Sequence, residues 1–169
     1  GKEEFKYTID YFTGQLEKYE VEIKLNTEVT LAGLHDFDEV ILATGVKPRM
    51  PSIPGIEHPS VMTYAELLQN IDKAGKRVAV IGAGGIGFDV AEALMHDDAS
   101  DDKTAFYREW GIDTHVAHRG GVVTPEKPHA AREVYLLQRK KDKMGGRLGK
   151  TTGWIHRMSL KHRAVNMMP

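Results

Sequence analysis

The sequence predicts an α/β fold of three layers, with helices on either side of a parallel sheet, and three observations predict it. Arg77-Val78-Ala79-Val80-Ile81 is a short apolar run of the kind buried on both faces of such a sheet. It runs straight into the glycine-rich string Gly82 to Gly87, and a helical pattern through Phe88 to Met95 follows. A further strand pattern, Glu133 to Gln138, and the start of another at the C-terminal end complete the alternation that parallel sheets require.

The composition supports a packed protein. With 169 residues, of which 41% are hydrophobic and 28% charged, the chain can bury roughly two thirds of its unfolded surface, which excludes collagen, coiled coil and wholesale disorder. Lysine and arginine number 23 against 24 acidic residues, so a formal charge of -1 offers no overall attraction to nucleic acid or to an anionic membrane. The absence of cysteine excludes a disulfide, an iron–sulfur cluster, a thiolate zinc site or a cysteine nucleophile built from this chain alone. No apolar run approaches the roughly 18 residues of a membrane span, and Gly1-Lys2-Glu3-Glu4 lacks the apolar centre of a signal peptide. A soluble, cytoplasmic protein is expected. Because the chain opens without Met and ends as a strand begins, it is also expected to be part of a longer polypeptide.

In chain order, Phe5, Ile9, Phe12, Leu16 and Tyr19 recur at spacings of four and three and predict an amphipathic helix over residues 3–19, slightly weakened by Gly14. Val21, Ile23 and Leu25 alternate with Glu22 and Lys24, a period of two that predicts a half-buried strand. Phe37 to Ala43 is a second strand pattern, ending in Thr44-Gly45, where glycine allows a sharp turn or a ligand's close approach. Prolines at 48, 51, 54 and 59 fix the backbone of Val46 to Pro59 as an extended linker, and a domain boundary is expected there, dividing residues 1–47 from 48–169.

Thr63 and Glu66 have the spacing of a capping box at the start of a helix from Tyr64 to Ile71, and Gly75 closes that segment. Between His96 and Arg132 the periodicity disappears. Asp97, Asp98, Asp101 and Asp102 cluster there, near Gly120-Gly121, and residues 97–132 read as an inserted excursion. After Glu133 to Gln138 comes a basic loop, Arg139 to Lys150, then a helix over Thr152 to His162 and the final strand.

Gly82-Ala83-Gly84-Gly85-Ile86-Gly87 matches G-x-G-x-x-G, in which the first glycine permits the turn, the second lets backbone meet a pyrophosphate and the third lets helix approach strand. Such a string is often an ordinary turn. Here an apolar strand enters it and a helix leaves it, as a Rossmann-like dinucleotide site requires, and the free amides and positive dipole end near Gly85 suit a diphosphate. In an ordinary unit a carboxylate about 20 residues later binds the adenosine ribose. With residues 97–132 set aside as an insertion, the second strand instead ends at Arg139-Lys140-Lys141, and these cations favour NADPH by pairing with its 2′-phosphate.

Residues 139–163 carry nine lysines or arginines and one aspartate. A solvated basic face is the plain alternative; RNA binding is disfavoured because Trp154 is the only interleaved aromatic residue. Gly149-Lys150-Thr151 resembles the end of a phosphate-binding P-loop, but that motif needs glycine where Met144 stands. His115, His118 and His129 lie in the irregular insertion without regular ligand spacing, so solvated loop residues are expected and no metal site is assigned. Spacing assigns no catalytic residue.

Several strings together resemble a known family. Asp38 to Gly45 resembles the strand and "ATG" turn of proteins that pair an FAD domain with an inserted pyridine-nucleotide domain, and Gly82 to Gly87 resembles their second fingerprint. Gly1-Lys2-Glu3-Glu4-Phe5, Gly82 to Asp89, Glu109-Trp110-Gly111-Ile112-Asp113, Leu137-Gln138-Arg139-Lys140 and Leu148 to Arg157 are similar to the bacterial NADPH-dependent 2,4-dienoyl-CoA reductases. The resemblance implies a longer polypeptide with an FMN-binding barrel and a four-iron (4Fe-4S) cluster, followed by FAD and NADPH domains, acting in fatty acid β-oxidation. It places residues 1–47 in the FAD domain and 48–169 in the NADP(H) domain. It puts Gly82, Ala83, Gly84, Gly85, Ile86 and Gly87 at the NADPH diphosphate, Arg139 and Lys140 at the 2′-phosphate, and Thr44 with Gly45 near the flavin. The remainder of the same polypeptide is the implied partner, and this portion by itself is expected to be inactive. An amine dehydrogenase, an enoate reductase or a nonenzymatic nucleotide-binding module fits the same fingerprint.

Overall fold

A computed structural model of the chain describes residues 4–96 and 102–169. The acidic residues Asp97, Asp98 and Asp101, and Gly1 to Glu3 of the family-like opening, lie outside the described residues. The chain divides into two compact units, Gly1–Val46 and Lys47–Pro169.

In the first unit the predicted amphipathic helix forms as α1, Phe5–Lys18, but none of its residues is buried. A short 3-10 turn, Leu31–Leu34, follows. The strands predicted at Val21 to Leu25 and Phe37 to Ala43 are not formed. A strand exists only where a neighbour takes up its amides and carbonyls. Among the described residues no neighbouring strand pairs with either segment: the Val21 amide goes to the Leu16 carbonyl at 3.0 Å and the Phe37 amide to the Leu34 carbonyl at 3.3 Å, both local bonds, and Leu25, Ile41 and Leu42 remain exposed.

The second unit begins with residues 47–63, which contain no helix or strand, but the extended path that the prolines predict is broken by turns over residues 54–60, where the His58 amide donates to the Gly55 carbonyl at 3.1 Å and the Val61 amide to the His58 carbonyl at 2.9 Å. At its end the capping box closes: the Thr63 amide donates to Glu66 Oε2 at 2.8 Å, and the Glu66 amide donates to Thr63 Oγ1 at 3.3 Å. These bonds satisfy two amides that a helix start leaves without partners. They open α2, Tyr64–Gln69, after which a 3-10 turn covers Ile71–Lys73.

The sheet comprises β1 (Arg77–Ile81), β2 (Glu133–Leu137) and β3 (Asn166–Met168), all parallel and in that order. Between β1 and β2 runs α3, Gly85–Met95; between β2 and β3 runs α5, Gly153–His162. The result is an α/β, Rossmann-like arrangement of which a partial domain is present. Phe88, Leu94 and Met95 of α3 pack with Val134 and Leu136 of β2 and Leu160 of α5 to form the core.

β1 departs from expectation. Val78 and Val80 face the core, but the alternate residues do not, and Ile81 is 63% exposed. The described helices that touch the sheet supply one covering layer, so a strand apolar on both sides is buried on one.

The segment 97–132 also departs from expectation, because it holds a helix, α4, Lys103–Trp110. Asp102 caps it by accepting from the Thr104 amide at 2.8 Å, and Gly111, at φ 63°, closes it. An isolated bridge between Ile112 and Val122 follows. The Arg163 guanidinium, almost fully buried, donates to Glu109 Oε2 at 2.8 Å and to the Met95 carbonyl at 3.4 Å. Excursion, α3 and α5 are thereby tied together.

Candidate functional site

The site starts where β1 ends. The Gly82 amide donates to the Leu137 carbonyl at 2.9 Å, extending the ladder one residue past the Ile81–Leu137 pair. Gly82 then turns at φ 119°, where side chains are rarely tolerated. A Cβ on Gly87 would lie 1.8 Å from the Gly82 carbonyl oxygen and 3.5 Å from Leu136 Cδ1, so only glycine lets α3 approach the strand here. This is the third-glycine role the spacing predicts.

Packing does not explain the other glycines. Cβ atoms at Gly84 and Gly85 would meet nothing within 4 Å, and both residues are exposed. Gly84 is the N-cap of α3 in extended conformation, without a side-chain cap; its carbonyl accepts from the Phe88 amide at 3.1 Å. The first-turn amides belong to Gly85, Ile86 and Gly87, and the first turn contains no acidic residue to offset the dipole. Ala83 is half-buried against the core, whereas Ile86 is exposed. The result is an open ledge of backbone donors able to receive an anion at its surface.

Arg139 and Lys140 lie where β2 ends, on the strand adjacent to the one that feeds the glycine turn. Both are exposed, and neither joins an ion pair among the described residues. Their turn is organised by Gln138. Its amide N–H donates to the Met168 carbonyl at 2.9 Å, while Nε2 donates to the carbonyls of Lys140 and Asp142 at 2.7 and 2.9 Å and to Asp142 Oδ1 at 2.7 Å. Farther along, Gly145 is buried at φ 69°, and Arg157 Nη1 donates to its carbonyl at 3.1 Å. Met144, which disqualifies the P-loop reading, is buried in the core.

Sequence reasoning missed Gln138, Gly145 and Arg157. The Gly145-Gly146 pair inside a charged loop was the available signal for the second; partners up to twelve residues apart left none for the third.

Thr44 and Gly45 lie in the first unit, exposed, with Gly45 at φ 70° and no strand leading into the turn. They belong to a different unit from the glycine ledge.

The histidines of the excursion follow the plain reading in part. Asp113 accepts from the amides of His115 and His118 at 3.0 and 2.8 Å and from His118 Nδ1 at 2.9 Å. The His118 bonds, side chain first, hold the Asp113 carboxyl down to a pKa of about 2. A different cluster was missed: Asp89 and Glu92 on α3 and His156 on α5 bring one potential ligand atom each within 4.8 Å of one another. Glu92 also accepts from Ser159 Oγ at 3.1 Å and lies 3.5 Å from His156 Nδ1, so these groups join α3 to α5.

Comparisons with known proteins accord with this geometry. A family model described as pyridine nucleotide-disulphide oxidoreductase matches residues 4–168. A metal reductase of Desulforamulus reducens is 24% identical over 184 residues, covering 99% of this chain and 25% of that protein. A cinnamate reductase of Clostridium sporogenes is 33% identical over 92 residues, covering 53% of this chain and 14% of that protein. Among solved structures, a 2-naphthoyl-CoA reductase in complex with 2-naphthoyl-CoA superposes with a TM-score of 0.65 at 23% identity, over 98% of this chain and 20% of that one. The chain therefore spans a quarter or less of these proteins. No helix among the described residues is long and apolar enough to cross a membrane.

Proposed function

The chain belongs to the pyridine nucleotide-disulphide oxidoreductase family, flavoproteins that use FAD and NAD(P)H, and from that premise we propose that it seats NADPH for the reduction of FAD within a longer oxidoreductase. The observation that carries the nucleotide choice is the bond from the Gly82 amide to the Leu137 carbonyl. It sets the turn after β1 beside the turn after β2, so that a phosphate-binding ledge and a cationic turn share one end of the sheet. The residues suit the group: Gly84 and Gly85 leave room that nothing among the described residues fills, and Gly87 admits the helix that supplies the donors.

In this reading Gly82, Ala83, Gly84, Gly85, Ile86 and Gly87 hold the diphosphate. Arg139 and Lys140 pair with the 2′-phosphate by charge-assisted hydrogen bonds, which a guanidinium forms in a planar fork. Thr44 and Gly45 form part of the flavin's surroundings. NADPH supplies a hydride and FAD accepts it; the protein's contribution is to bind and orient them. Residues 1–47 count as FAD domain and 48–169 as NADP(H) domain with an insertion at 97–132. The partner is the rest of the same polypeptide, in the cytoplasm, where reduced pyridine nucleotide is supplied.

For the whole protein we favour reduction of a 2,4-dienoyl-CoA in fatty acid β-oxidation, with FMN and a 4Fe-4S cluster borne by the remaining polypeptide. The family resemblance supports this, and the structural neighbour is a reductase bound to another CoA thioester, 2-naphthoyl-CoA. A second reading, reduction of a free enoate, is favoured by the likeness to a cinnamate reductase. Turnover by the full-length protein of 2,4-dienoyl-CoA against cinnamate separates the two. The nucleotide reading is tested by calorimetry on the chain itself: binding of NADPH with much weaker binding of NADH is expected, and equal or absent binding of both overturns it.

A further inference from the structure

We infer that Gln138 is a positioning residue for nucleotide choice, fixing the turn that carries Arg139 and Lys140 and holding the carboxylate of Asp142 on its own amide. The inference rests on the proposed NADPH reading and goes one layer behind it. Gln138 continues the sheet beyond β2, its backbone pinned to the Met168 carbonyl, so its side chain starts from a rigid base. From there Nε2 reaches three acceptors within 2.9 Å: the carbonyls of Lys140 and Asp142 and Asp142 Oδ1. An amide NH2 has two protons, so one bond is shared, and the three acceptors converge on a single donor.

Two consequences follow. The carbonyls of Lys140 and Asp142 point inward at Gln138, which fixes the backbone that bears the cations. And Asp142 is the sole acidic residue among 139–163, so its placement decides how much negative charge the turn presents to an incoming phosphate. Released from Gln138, it becomes a competitor for Arg139 and Lys140. A neutral amide that only donates at these distances suits the task; a carboxylate at 138 would repel Asp142.

Calorimetry of the full chain with NADPH and with NADH tests this in the wild type, Gln138→Ala, Gln138→Glu and the double variant Gln138→Ala/Asp142→Ala. Gln138→Ala is expected to lose about tenfold in NADPH affinity, the scale of one charge-assisted contact, with NADH affinity unchanged. Unchanged NADH binding also reports that the variant has folded. Gln138→Glu should lose at least as much, and the double variant should regain part of the loss, which a merely structural role would not produce. A wild type without NADPH preference overturns the nucleotide reading and this inference with it. A wild-type preference that Gln138→Ala leaves intact, an equal loss of both nucleotides, or no recovery in the double variant overturns the positioning role alone.

Discussion

Gly145 lies against the ring of Phe88: a Cβ at position 145 would sit 2.7 Å from Phe88 Cζ and 2.9 Å from Leu148 Cδ1. Phe88 is in the first turns of α3, and Gly145 is in the loop after the cationic turn, so the two halves of the proposed nucleotide site share a packing contact. Gly145→Ala combines this crowding with an unfavourable φ of 69°. It should destabilise the chain by about 1–3 kcal/mol, read as a lower urea midpoint.

Gly87→Ala strikes closer to the ledge, since the contact it violates is backbone on backbone. The helix must move off the strand, and affinity for NADPH and NADH should fall together. Retention of wild-type affinity for either nucleotide would show that the ledge is not where the diphosphate sits.

Arg139→Ala separates the two nucleotides instead. NADPH binding should weaken by about 1–3 kcal/mol, the scale of a charged hydrogen bond, and NADH binding should stay nearly constant. Titration at rising salt checks the same point, because the NADPH preference should shrink as screening increases.

Glu109→Ala leaves the Arg163 guanidinium buried without its carboxylate, with the Met95 carbonyl its remaining hydrogen-bond acceptor among the described residues. Truncating one partner of a buried pair costs roughly 3 kcal/mol or more, and a fall in Tm should show it. Glu109→Gln, which keeps an acceptor, should fall less.

Acid should loosen the excursion. Asp113 titrates near 2 in the folded chain against an ordinary 3.8, because the His118 side chain and the amides of His118 and His115 bond its ionised form. A depressed folded value means that stability is fully present above pH 3.8 and is lost as pH falls towards 2. Asp102 and Glu66, lowered chiefly by the Thr104 and Thr63 amides, add in the same direction. Asp113→Asn should flatten the acid limb of a stability–pH curve, and an unchanged limb would remove Asp113 from the account.

The parts of this molecule that are legible in sequence are those whose cause is local. β1, the glycine turn and α3 follow from an apolar run, three spaced glycines and a helical pattern, and Thr63 with Glu66 announces its cap three residues apart. β2 became legible once residues 97–132 were set aside. The failures have one origin. Val21 to Leu25 and Phe37 to Ala43 alternate or cluster as strands do, yet a strand is a property of two segments. The helix at Lys103–Trp110 is short and none of its residues is buried, and its anchors, Arg163 and His162, lie more than 50 residues away. Gln138 reads as one more polar residue at a strand end until its three acceptors are folded around it.

The guanidinium of Arg132 donates to the carbonyls of Ile71, Ala74 and Leu94 at 3.1, 3.5 and 3.2 Å. Leu94 lies at the far end of an 11-residue helix whose other end is the anion ledge, a lever of about 16 Å. Any tilt of that lever on nucleotide docking must strain this clasp, so amide hydrogen exchange around residues 71–74 should slow or quicken with occupancy. On the proposed reading, the segment ahead of the first strand would serve as a remote reporter of nucleotide binding.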